Sequence, residues 1–257
     1  MQSRYERIYN RMKKLINRAE RIDKPKMLKR KCERLWKWIR GNSLFAVSIL
    51  SLLFTLPSCD GHKDFPDMAM KIGHVVCTDG KVMSYEECEA FKKEPIAVVF
   101  YLNNDTEVEG HGFAVYFKDT PNKAFTDSIG IAQGTSADIL AFDGNLNTHK
   151  MFSNTACSSP IAESVYDMWK YGQSAYIPSV AQMRLLYQAK ETINPIIEKC
   201  GGTPIPDEPA KCWYWTSTEV QDQQTVKAWL YSLASGTMQE TPKLQEHKVR
   251  PIITIND

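Results

Sequence analysis

The 257-residue chain has no run of apolar residues long enough to cross a bilayer as a helix, which takes about 20. It also lacks the patterns of several common chemistries. Its histidines, at positions 62, 74, 111, 149 and 247, are scattered, with no His-x-x-x-His pair and no Cys/His cluster at the spacing zinc requires. There is no Gly-x-Ser-x-Gly elbow to expose a nucleophilic serine and no glycine-rich loop to cradle a phosphate. Charge is absent from one stretch altogether, residues 41–58.

That uncharged stretch divides two unlike halves. Before it, fifteen Lys and Arg stand against four acids, a net charge of +11; from Cys59 onward, 17 basic residues face 26 acidic ones, a net of −9. The apolar bar, 44–56, has the length of a signal-peptide core, roughly 7 to 15 residues, and a basic flank stays on the cytoplasmic side. Leu56-Pro57-Ser58-Cys59 at its end resembles the lipobox of bacterial lipoproteins. The resemblance implies cleavage before Cys59 and acylation of its sulfur. The competing reading is a core helix with an incidental cysteine. In the basic head, Tyr5, Ile8, Tyr9, Met12, Leu15, Ile16 and Ala19 recur at helical spacing among Lys and Arg, the pattern of an amphipathic helix on an anionic surface, and Pro25 ends it. Translation from Met27 would instead leave an ordinary basic leader. A leader removed with the signal needs no nucleic-acid partner.

Export sets how the remaining cysteines read. Cys77, Cys88, Cys157, Cys200 and Cys212 would meet an oxidising compartment. The expected pairs are Cys77 with Cys88 and Cys200 with Cys212, each closing a short loop, with Cys157 free; the alternative is five reduced thiols filling small apolar sites. The organisation that follows is a leader over 1–43, a signal core and lipobox over 44–59, a polar tether over 60–71 and one domain over 72–257.

Within that domain, His74 to Cys88 reads as a strand, a turn at Asp79-Gly80 and a short second element. Residues 96–102, IAVVFYL, read as a central strand and 112–118 as its hairpin partner. Strand signals dominate up to residue 157. Ser159-Pro160 then opens a helix with Ile161, Val165, Met168 and Trp169 on one face, stopped by Gly172. Ser179 with Gln182 forms a capping box for a longer helix, whose apolar face runs through Val180, Met183, Leu186, Tyr187, Ile193, Ile196 and Ile197 to Gly201 and Gly202. Strands follow at 213–219, 227–233 and 248–255, and Pro251 places the last at an edge or a bulge. The predicted class is α+β, short antiparallel sheets with two helices.

The ordered set AYIPSVAQMRLLYQAKETINPIIEKCGG, WYWTSTE, AWLYSLASG and KVRPIITI, preceded by DGKVMS, IAVVFYL and FDGNLNT, resembles the Lcl C-terminal lectin-like family of secreted and lipid-anchored Bacteroidota proteins, over roughly 72–255. Ile177, Thr216 and the Pro251-Ile252 pair depart from that family's commoner residues. The resemblance implies a C-type-lectin-like fold whose N- and C-terminal strands pair and whose two helices flank small sheets. Alternation in WYWTSTE puts Trp213 and Trp215 on one face, Tyr214 and Thr216 on the other; such aromatics are either core or sugar platforms. The ligand-binding candidates are Tyr214, Thr216, Glu219, Trp229 and Tyr231, with Glu219 alternatively capping a loop or meeting Arg250.

Neither a Glu-Pro-Asn, a Gln-Pro-Asp nor a Trp-Asn-Asp tripeptide, through which calcium-dependent lectins hold sugars, is present. The oxygen-rich stretches 103–110 and 143–147 are read either as calcium loops or, more simply, as turns; no cofactor is expected. Formylglycine-generating oxidases share the lectin-like scaffold, and YIPSVAQMRLLY with WYWTSTE echoes them, but their chemistry gathers two cysteines at a copper site. The sequence therefore predicts an outer-membrane, surface-exposed lipoprotein, attached through its lipid, that displays a non-catalytic domain for a glycan or protein ligand, as an adhesin. The alternatives are an accessory subunit of an envelope assembly and, third, such an oxidase.

Overall fold

A computed structural model describes residues 69–104, 110–166, 168 and 175–256. The leader, Cys59, most of the 103–110 loop, Trp169 and Gly172 lie outside the described residues.

The apolar run IAVVFYL forms the middle of the largest sheet because both of its faces are covered. Strand β3 (Pro95–Leu102) pairs antiparallel with β4 (Gly112–Tyr116) and with β1 (Val75–Cys77); β2 (Val82–Met83) and β10 (Ile252–Ile255) form the edges, giving the order β10-β4-β3-β1-β2. On one face Val75, Val98, Phe100, Phe113, Val115 and Ile252 join a core with Met183, Leu186, Ile193 and Ile197. On the other, Val76, Ala97, Val99, Ala114 and Ile253 pack with Phe125, Met151, Ile161, Val165, Trp215 and Leu230. A strand buried on both sides loses the polar alternation of a half-exposed one, and hence reads as a continuous hydrophobic stretch. Pro251 sits just before edge strand β10, where its missing N–H costs no ladder bond, and its carbonyl accepts from Tyr116 N–H at 3.0 Å.

The first core is covered by a 20-residue helix. Among the described residues there are four helices: α1 (Tyr85–Ala90), α2 (Gly144–Ser153), α3 (Pro160–Tyr166) and α4 (Val180–Lys199). The predicted capping box of α4 is present in both directions, with Gln182 N–H donating to Ser179 Oγ and Ser179 N–H to Gln182 Oε1. The same device starts α1, between Ser84 and Glu87. Helix α2 lies where the sequence shows strand signals, before residue 157. Its sequence, GNLNTHKMFS, is mostly polar and presents only Gly144, Asn147, Thr148 and Met151 to the interior, so no apolar 3.6-residue period marks it. Gly144 is required there, because a Cβ would lie 2.6 Å from the carbonyl oxygen of Ile177.

A second, three-stranded sheet, β6 (Trp213–Glu219), β7 (Lys227–Ser232) and β8 (Met238–Pro242), follows α4, and β5 (Lys123–Ala124) pairs with β9 (Glu246–His247). The α+β class is as expected. The topology departs from one implication of the family resemblance: closing strand β10 pairs with β4, and two strands separate it from β1.

Candidate functional site: a tryptophan cleft at the rim of the small sheet

Alternation in β6 and β7 separates aromatic residues between two cores, and burial then decides which remain available. Tyr214 and Tyr231 belong to the core under α4, while Trp213 and Trp215 face the other. Tyr214, Thr216 and Glu219 are fully enclosed and Tyr231 is 2% exposed. Burial raises the Tyr231 phenol above its ordinary range; Tyr214 is raised by burial and then by Asp119. Of the five ligand candidates only Trp229 keeps a partly open side chain, packed at the edge of the α4 core. Thr216 donates to the Trp229 carbonyl at 2.9 Å and so braces the neighbouring strand.

Trp229 lines an open cleft of about 660 Å³. One wall is the 137–140 segment, where Asp138 Oδ1 accepts from Leu140 N–H at 2.8 Å and so folds the chain into a side-chain-closed turn. The other wall is the β6–β7 connection, in which Asp222 takes a left-handed conformation (φ 63°). Asx residues tolerate that region better than most. Glu240, paired with Trp229 across β7 and β8, completes the lining and accepts from Lys227 Nζ at 3.1 Å and Gln223 Nε2 at 3.3 Å. The carboxylates and the amides of Gln221 and Gln224 thus share the cleft with the indole and with apolar Ile139, Leu140 and Val220. The indole Nε1–H is itself buried and has no hydrogen-bond partner, a deficit that costs about 1–3 kcal/mol.

Glu219 neither faces the cleft nor meets Arg250. Its cation is Lys243, and both side chains are 0% exposed. The Glu219 carboxylate also accepts from Gln133 N–H at 2.8 Å, Thr135 N–H at 3.2 Å and Thr135 Oγ1–H at 3.0 Å. It therefore caps a loop, as one reading had it. Arg250 instead pairs with Asp119 and donates to the carbonyls of Tyr116 (3.1 Å) and Thr203 (2.9 Å). The Glu219–Lys243 partnership had no signal in the sequence, where 23 intervening residues and two strands separate the pair.

The cysteines fall in three surroundings. Cys77 and Cys88 are both buried, with sulfurs 3.6 Å apart; Cys77 is pushed up to about 12 by burial and by Cys88. Cys200 caps the end of α4, and its thiol is raised to about 11 by burial, then by Cys88 and Glu89. Cys212 contacts Ser232 Oγ at 3.1 Å and the Pro209 carbonyl at 3.3 Å. The structure thus brings Cys77 to Cys88 and gives Cys200 and Cys212 separate environments. Cys157 lies 2.6 Å from Thr126 Oγ1 and 3.2 Å from Asp127 Oδ1.

Among the described residues no group of three or more His, Cys, Asp or Glu side chains is arranged to hold a metal ion. In the 143–147 stretch the oxygens serve the protein: Asn147 Oδ1 accepts from Ser136 N–H at 2.9 Å and Asp143 Oδ1 from Asn147 Nδ2 at 2.8 Å. Two further clefts occur. One, of about 450 Å³, is bordered by the stacked rings of Phe152 and Tyr166, 4.3 Å apart. The other, of about 410 Å³, lies beside Trp213, His247 and Lys248. In comparisons with known proteins, the chain matches no protein-family model and no curated protein.

Proposed function

We propose that this chain is a lipid-anchored envelope protein, acylated at Cys59 and displayed at the outer-membrane surface, whose lectin-like domain binds a glycan at the Trp229 cleft without catalytic turnover. The observation that carries the reading is the partly open Trp229 ring in a cleft that also carries the polar side chains of Asp138, Asp222, Gln221, Gln224 and Glu240. A sugar ring suits such a cleft: an apolar C–H face for the indole, hydroxyl donors for carboxylates and hydroxyl oxygens for the glutamine amides. Calcium has no part in this mode of binding.

The test is a glycan array probed with the full-length chain and with Trp229→Ala, with and without a chelator. Chelator-resistant binding to a set of glycans, lost in the variant, supports the reading. Retention of the same signal by Trp229→Ala would remove the cleft from it. The second reading, an accessory subunit of an envelope assembly, is favoured by exposed Leu146, Phe152 and Tyr166, 54%, 44% and 45% accessible around one groove. A stoichiometric co-purifying partner with an empty glycan array would select it.

A further inference from the structure

The cleft's two walls come from segments with little regular structure of their own. Between β5 and α2 the chain runs 19 residues without helix or strand, a length that calls for external fixing. The Glu219 carboxylate supplies it on one side, taking the backbone N–H groups of Gln133 and Thr135 and the Thr135 hydroxyl. The 137–140 wall begins two residues further on. On the other side Lys243 Nζ bonds the carbonyl of Gln224, itself a wall residue, and Lys243 N–H donates to Val226 O at 3.0 Å. The ion pair joins these two grips, and the Lys243 ammonium lies 5.2 Å from the centre of the Phe125 ring.

A buried ion pair is weak grounds for stability alone, since desolvation offsets much of its attraction. Its distinctive property is geometric: each charge fixes a different wall, and neither can turn to water. We infer that Glu219 and Lys243 are positioning residues of the Trp229 cleft, holding its walls at one separation without touching the ligand. This rests on the proposed binding reading for its consequence in affinity, and on the geometry alone for the ordering of the walls.

The experiment uses the full-length chain carrying Thr135→Val, Glu219→Gln, Lys243→Met or both of the last two. Amide hydrogen exchange is read over 130–141 and 220–226 without ligand, and affinity is read with the best array glycan. Thr135→Val removes one bond to the carboxylate and leaves the ion pair, so it folds if the charge-unbalanced variants do not. Expected are faster exchange in 130–141 for Thr135→Val and in both segments for each single charge variant, with affinity falling about tenfold or more in the latter. The neutral double variant relieves the unbalanced charge but still lacks the Lys243 bond to the Gln224 carbonyl, so 220–226 stays fast-exchanging in it, and wild-type protection there would overturn the positioning role. Unchanged exchange in these segments overturns the positioning role whether or not any glycan binds. Faster exchange with unchanged affinity overturns its link to the cleft, while loss of the binding reading itself is registered separately by Trp229→Ala.

Discussion

At the start of β6, Tyr214 lies under Lys248, whose ammonium is 4.5 Å from the ring centre and 2.7 Å from Asp119, which also takes Arg250. At the far end of the same strand, Glu219 meets Lys243. Both ends are tied by charge, but solvent reaches only the first: the Asp119 and Lys248 side chains are 16% and 20% exposed, against 0% for both partners at the second. The first cluster has two cations on one acid, and its Arg250, two residues before edge strand β10, donates to the carbonyls of Tyr116 at the end of β4 and Thr203 beyond α4. The second has one of each sign and binds two cleft walls. Burial makes the second pair the less replaceable, because a lone charge there has no water to turn to.

The largest expected effect follows from that difference. Glu219→Ala or Lys243→Ala leaves an uncompensated buried charge and costs about 3–5 kcal/mol of stability in urea titration. A loss below about 1 kcal/mol would place water at the pair and erase the contrast. Asp119→Ala strips Arg250 of its acid but leaves two carbonyl partners, for a cost of about 2–3 kcal/mol by the same titration. Lys248→Met keeps the aliphatic stem over Tyr214 and removes a partly exposed charge, costing about 0.5–1 kcal/mol.

The smallest effect is read by pH. His247, edge-on to Trp215 with ring centres 5.5 Å apart, has its imidazolium disfavoured by burial, so its folded pKa lies below the ordinary 6.5. In the interval between that lowered value and 6.5 the unfolded chain binds the extra proton, so stability rises with pH across it and is fully present above it. The difference in melting temperature between wild type and His247→Gln should therefore grow in favour of wild type from pH 5 to 7.5. A constant difference would mean that His247 titrates alike in both states.

Much of this frame was legible in the sequence. The capping residues Ser179 and Gln182, the apolar face of α4 and the doubly buried β3 are local signals, and each appears where its spacing put it. Helix α2 was not, for it is held by tertiary bonds such as Thr148 Oγ1 with Ile177 N–H at 2.9 Å rather than by an apolar stripe. The candidate site was legible only as a set. Tyr231 and Trp229 share a face of β7 at strand spacing, and what separates them is that Tyr231 lies within the α4 core and Trp229 at its edge. No local pattern reports where a covering helix stops. The wall at 137–140 and the lysine opposite Glu219 are likewise brought in from distant sequence.

The most direct test of the account is a nitrogen-15 spectrum of the indole N–H groups of the chain's six tryptophans, followed during titration with an array-positive glycan and assigned by Trp229→Phe. The account predicts that the Trp229 Nε1–H resonance moves as a sugar ring stacks on its indole and changes its ring environment, while Trp215, enclosed in the other core and bonded to the Lys123 carbonyl at 3.2 Å, stays in place. A stationary Trp229 resonance beside a glycan that binds, or a shift confined to Trp213, would contradict it.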